Sequence, residues 1–141
     1  MALNTASPFD RRPGIHNVQV PTLAHAAATA TELIASHTFT QACRLRGAHW
    51  VPFAAVTGVD THTTHLNLQN RGAAGTGTTE LANLDFTDAL DAAIAVPLTM
   101  SSSLTTAIVA GATIALQAEK VGNGLLIPAG MLILEYDYQT S

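Results

Sequence analysis

Charge is what this sequence has least of. Only 11% of its 141 residues are Asp, Glu, Lys or Arg, less than half of the share of about 25% usual in globular chains. With one lysine, five arginines and a net charge of −4, it lacks the clustered cations that nucleic-acid binding needs. Cysteine is nearly absent too. The single Cys43 cannot form an intrachain disulfide, so the fold does not depend on an oxidising compartment. Its apolar neighbours make it a small buried hydrophobe rather than a reactive thiol. Aromatics amount to 5%, which leaves little material for a ring-lined glycan surface. No Asn-x-Ser/Thr acceptor occurs, and the opening MALNTASPFDRRPG has no basic segment followed by an apolar core. No run approaches the ~20 apolar residues of a membrane helix. The expectation is a protein made in a cytoplasm and soluble unless it joins something larger.

What is present is apolar and small. The hydrophobic fraction is 48%, which excludes disorder, and Thr, Ala, Ser and Gly stand where charges usually do. A monomer with so few charges is weakly protected against association, so part of its surface is expected to be buried in an assembly. Residues 1–15 form an N-terminal arm punctuated by Pro8, Pro13 and Gly14, with Phe9 as an apolar anchor beside Arg11 and Arg12. Residues 16–141 form a single domain.

Strand signals run through that domain. Residues 16–20 make a short strand stopped by Pro21. Residues 23–35 are rich in both alanine and threonine, and the reading favours a strand over about 29–36. Next, Cys43, Leu45 and Gly47 share one strand face while Arg44 and Arg46 share the other. Gly47 marks a bulge, with Trp50, Val51 and Phe53 continuing into the core and Pro52 at an edge or a strand end. Leu66 and Leu68 alternate with His65, Asn67 and Gln69, and a glycine-rich connection over 71–79 leads to Ala82, Leu84 and Phe86. Residues 87–95 read either as one helical turn or as an irregular excursion. Ile114, Leu116 and Ala118 form one further inward face, and Leu132, Leu134, Tyr136 and Tyr138 another. Seven or eight strands without amphipathic crossover helices predict an all-β, antiparallel β-sandwich, jelly-roll-like, with an extended N-terminal arm.

The chemistry-bearing residues are sparse. Asp60, His62 and His65 are the one array resembling a metal site. In an extended strand, however, His65 projects away from Asp60 and His62, so a structural role is expected and no metal or cofactor is assigned. The remaining histidines are scattered, there is no G-x-S-x-G elbow, and the Gly72, Gly75, Gly77 spacing has no following Lys or helix. No catalytic residue is assigned, and the chain is read as not an enzyme. Arg44 and Arg46 on one strand, with Glu135 and Asp137 at the same spacing on the last, suggest paired contacts with a partner or a second subunit.

The wording of residues 50–138 resembles the capsid decoration, or cement (head-stabilising), proteins of tailed bacteriophages. The resemblance rests on the V-T-G turn at 56–58, the L-x-L-x-N strand at 66–70 and the Gly/Thr connection at 72–79. It continues in the G-A-T-I-A-L strand at 111–116, V-G-N-G at 121–124 and the Pro/Gly pair at 128–130. Residues 16–49 and the arm fall outside it. His62 and His65 depart from the small polar or basic residues expected there, as does the alanine-rich stretch 88–95. The resemblance implies a small sandwich subunit of the virion, often a homotrimer, that clamps neighbouring major capsid proteins on the capsid exterior after head expansion. It implies no catalytic residue. Burying ~1,000 Å² of apolar surface in such contacts would contribute a gross ~25 kcal/mol, mostly offset by association costs. Two other classes compete: a phage tail, fibre or receptor-binding β-module, and a small metal-dependent enzyme on a cupin-like sandwich.

Overall fold

The computed structural model describes residues 14–87 and 90–138. The predicted arm, with Phe9, Arg11 and Arg12, therefore lies outside the described residues except for Gly14 and Ile15. Nine strand segments follow one another: β1 (His16–Thr22), β2 (Glu32–Thr38), β3 (Cys43–Pro52), β4 (Thr64–Gly72), β5 (Thr79–Asp85), β6 (Leu98–Ser101), β7 (Thr106–Ile108), β8 (Thr113–Lys120) and β9 (Gly130–Tyr138). There is no helix among the described residues.

The strands form two antiparallel sheets. One has the order β1-β9-β3-β6, with β7 also paired to β3, and the other has the order β2-β8-β4-β5. Segments β6 and β7 occupy the same edge of β3, against residues 48–50 and 43–45 respectively. Between them the Leu104 N–H donates to the Arg46 carbonyl at 3.0 Å. They are thus one interrupted edge strand. Successive strands otherwise cross from sheet to sheet, apart from the β4–β5 hairpin. That path is a jelly roll of eight strand positions, and it matches the predicted all-β sandwich.

The core lies between the sheets. Trp50 and Phe86 meet edge to face with centroids 5.8 Å apart, and Leu45, Leu66, Leu68, Ile114, Leu116, Leu132 and Leu134 are fully buried around them. The indole N–H of Trp50 donates to Thr22 Oγ1 at 3.2 Å, which satisfies the one polar atom of that ring. The inward residues read from the sequence, Leu66 and Leu68 in β4, Ile114, Leu116 and Ala118 in β8 and Leu132 and Leu134 in β9, are buried, but Asn67, Gln69 and Ala115 on the opposite faces are buried as well.

In β3 the register against β9 shifts between Leu45 and Gly47, so the expected bulge is there. A side chain at Gly47 would collide with Glu135 Oε2, 2.7 Å from where its Cβ would stand. The bulge reverses the inward parity. Ala48 and Trp50 face in, whereas Val51 is half-buried and Phe53, expected in the core, is exposed. Two other boundaries differ from expectation. Pro21 does not stop β1, which continues to Thr22, because β1 is an edge strand with no ladder bond to lose there. Strand β2 begins at Glu32 rather than near 29, because the Thr29 N–H closes a turn onto the Ala26 carbonyl at 2.9 Å.

Candidate assembly surface

Antiparallel register decides which connections share an end. Thr22 and Pro52 both pair with Gly130, Trp50 with Leu98, Thr64 with Lys120, and His65 with Asp85. Connections 23–31, 53–63, 86–97 and 121–129 therefore emerge together at one end of the sandwich. Connections 39–42, 73–78 and 109–112 emerge at the other.

The first end is apolar and exposed. Leu23 is 70% accessible, Phe53 53%, Ile94 62% and Leu126 59%, and Val59 and Val96 are exposed beside them. These side chains lie outside the strands, where periodicity gives no core position to fill. The sequence of these four connections contains no Lys or Arg, and its charges are Asp60, Asp88 and Asp91. An exposed apolar area of this kind is a signature of a contact surface.

The same end is braced from below. His25 and Ile127 exchange backbone hydrogen bonds at 2.8 and 2.9 Å, and Val56 and Ala92 exchange two at 2.8 Å. The Phe53 N–H donates to the Ala129 carbonyl at 2.9 Å, and that of Ala95 to the Pro52 carbonyl at 2.8 Å. Gly58 N–H donates to Asp91 Oδ1 at 2.9 Å. Gly58 also passes so close to the Thr87 carbonyl that a Cβ there would overlap it. His25 is fully buried, with Nδ1 2.8 Å from Glu32 Oε1. Each loop is thereby tied to a neighbour, and ordering on contact costs less conformational entropy than for free loops.

The residues singled out in the sequence fall elsewhere. Strand β4 starts at Thr64, so residues 60–63 are loop and the parity argument for Asp60 and His62 does not apply. The separation arises differently: His62 Nδ1 accepts from the Asn123 N–H at 3.1 Å, while His65 Nδ1 faces Asp85 at 3.4 Å and Glu119 at 4.0 Å across the sheet. Among the described residues, no three His, Cys, Asp or Glu side chains are grouped to hold a metal ion.

Arg46 and Asp137 meet within the chain. The guanidinium Nε donates to Asp137 Oδ2 at 2.7 Å, and His49 lies 3.5 Å from Glu135. The charged face of β3 and β9 is thus tied partly to itself, with Arg44 beside Asp137 in register. The opposite sheet does the same with amides. Asn67 donates to Glu119 at 2.7 Å and Gln69 to Gln117 at 3.0 Å. The sequence singled out Arg44, Arg46, Glu135 and Asp137 on this charged face, with Phe9, Arg11 and Arg12 outside the described residues, and did not single out the exposed apolar side chains of the loop end. The signal was there in V-P-F-A-A-V and A-A-I-A-V-P, apolar runs interrupted by proline and thus unsuited to a regular strand.

No protein-family model matches the chain, and no curated protein matches it. The solved structures that overlap it include three of one virus. The infectious bursal disease virus VP2 subviral particle does so at a TM-score of 0.44 and 11% identity, over 90% of this chain and 33% of that one. The Gx strain of that virus gives a TM-score of 0.40 and 12% identity over 92% and 33% of the two chains. The Gt strain gives 0.38 and 12% over 90% and 33%. This chain spans about a third of their length, and at such scores the overlap carries no functional weight.

Proposed function

We propose that this chain is a structural virion protein, a decoration or cement subunit that binds the outside of a tailed-phage capsid through its four-loop end. The exposed Leu23, Phe53, Ile94 and Leu126 of four connections whose own sequence holds no Lys or Arg are the observation that carries the reading; the one cation at this end, Lys120, donates to the Ala28 carbonyl at 3.4 Å. The jelly roll supports it by presenting those loops on a hydrogen-bonded scaffold. The resemblance of residues 50–138 to decoration proteins supplies the partner, the major capsid protein, and a homotrimeric state. Small exposed side chains such as Ala, Thr and Ser lose little rotamer freedom on burial. Repetition over an icosahedral shell then turns many weak contacts into a strong one. The role requires contact and no catalytic step.

The test uses purified expanded capsids that lack the protein. Co-sedimentation that saturates at a fixed number of chains per capsid, with a trimer by gel filtration, is the expected result. A monomer that stays in the supernatant would remove the proposal.

A further inference from the structure

The four strands of the β2-β8-β4-β5 sheet alternate in direction, so its two edges run oppositely: β2 leaves the apolar loop end and β5 returns to it. In the other sheet β1 packs beside β2 and β6 beside β5, which gives the sandwich two lateral sides. Natural edge strands are commonly guarded against pairing with another chain by lysine, proline or shortness. Strand β1 has Pro21, and β6 and β7 have only four and three residues. Strands β2 and β5 have seven residues each, with no proline and no Lys or Arg. Every Lys and Arg of residues 14–138 is on a central strand: Arg44 and Arg46 on β3, Arg71 on β4 and Lys120 on β8.

The two unguarded edges each carry a bulge, and the bulges match. One row across the sheet joins Leu33, Gln117, Asn67 and Asn83, and another joins Ser36, Ala115, Gln69 and Glu80. Between these rows β8 and β4 advance two residues, whereas β2 and β5 both advance three. The extra residue lets Ile34 and Ala35 on one edge, and Leu81 and Ala82 on the other, all pack on the core. A bulge on one edge alone would put it out of step with a regular strand. Two at the same height restore the step, so residues 32–37 count evenly against 84–79. Leu33 then falls opposite Asn83, and Ser36 opposite Glu80. Leu33 is also an exposed apolar side chain outside the loop end, and a strand laid beside it would cover it.

We infer that β5 of one copy of this chain pairs with β2 of the next, joining copies head to tail through one continuous sheet. Rotation about an axis along the strands preserves strand direction, so β5 and β2 meet antiparallel. A closed ring adds no displacement along its axis, which holds matching rows at one height. Every loop end then points the same way, as docking on one shell requires. The alternative, β5 against its own copy about a two-fold axis, would point the loop ends apart. It would also set Glu80 and Asp85 of both copies in one ladder with no cation. In the head-to-tail contact the one carboxylate of β2, Glu32, is already held by His25 at 2.8 Å. A ring of three rests on the proposed function; the choice of edges does not.

The experiment oxidises the full chain carrying Leu33→Cys and Asn83→Cys in a Cys43→Ala background. Within one chain the two positions are three strand spacings apart, about 14 Å, too far for a disulfide. Any bridge therefore joins two copies. The double variant should give a covalent trimer on a non-reducing gel, and each single variant should remain monomeric there. Asn83→Lys, which places on β5 the guard it lacks, should turn the gel-filtration trimer into a monomer with unchanged circular dichroism. A double variant that stays uncrosslinked would overturn the inference. So would crosslinking by Asn83→Cys alone, or an Asn83→Lys chain that remains a trimer. These measurements use no capsid: a native chain that co-sediments with capsids while the double variant stays uncrosslinked removes the edge pairing and leaves the assembly reading in place.

Discussion

Cys43 is fully buried on the inward face of β3, and burial together with the nearby Asp137 carboxylate pushes its thiol pKa up to about 11. Tyr136 is raised to about 12 by burial, by a hydrogen bond to Tyr138 and by the adjacent Tyr138 and Cys43. Both groups hold their proton more tightly folded than unfolded. Their stabilising contribution is therefore complete below about pH 9 and is lost as pH rises towards 11 and 12. Urea midpoints measured across pH 8–12 should fall over that window, with a shallower fall in Cys43→Ala; a flat profile would contradict this. A thiol reagent at pH 8 should label the native chain at least about a hundredfold more slowly than the urea-unfolded chain. Gly58 is the other exacting position. Gly58→Ala forces a Cβ onto the Thr87 carbonyl and should cost about 1–3 kcal/mol by urea unfolding. Much of this was readable residue by residue: Cys43 and Leu45 face inward as their alternation required. Phe53 was not, because the bulge at Gly47 changes which side of β3 is inside.

At the scale of the element, alternation made the inward leucines and isoleucine of β4, β8 and β9 legible from their own residues, since period 2 needs no knowledge of neighbours, but not the burial of Asn67 and Gln69, which pair with Glu119 and Gln117 of β8. Strand adjacency is different information. Nothing within residues 43–52 states that β9 lies on one side and the broken β6–β7 edge on the other. Hence Arg46 and Asp137 looked like groups awaiting a second subunit, whereas β3–β9 pairing brings them together. Both side chains remain partly exposed, so the pair is worth no more than about 1 kcal/mol. A double-mutant cycle of Arg46→Ala and Asp137→Ala should return a coupling of that size or less that shrinks with added salt. A coupling of several kcal/mol, insensitive to salt, would show that this account undervalues the pair.

The molecule as a whole has two unlike ends, and only the jelly-roll path creates them. Leu23, Phe53, Ile94 and Leu126 are spread over about three quarters of the sequence, yet register places them at one end; His16, Phe39, Tyr136 and Tyr138 converge at the other in the same way. The scarcity of charge led to the expectation that some surface is buried in an assembly. Which surface could not be read from it, since an exposed loop phenylalanine and a core phenylalanine look alike in a one-dimensional pattern.

The central claim is that the apolar four-loop end is the face that meets the shell. The most direct measurement compares capsid affinity of the native chain with that of Phe53→Glu/Ile94→Glu at one end and Tyr138→Ala at the other, with folding checked by Tm. The account predicts a loss of at least about hundredfold for the loop-end pair, whose carboxylates would be buried unpaired. It predicts no change for Tyr138→Ala. Full capsid affinity in a folded Phe53→Glu/Ile94→Glu chain would contradict it.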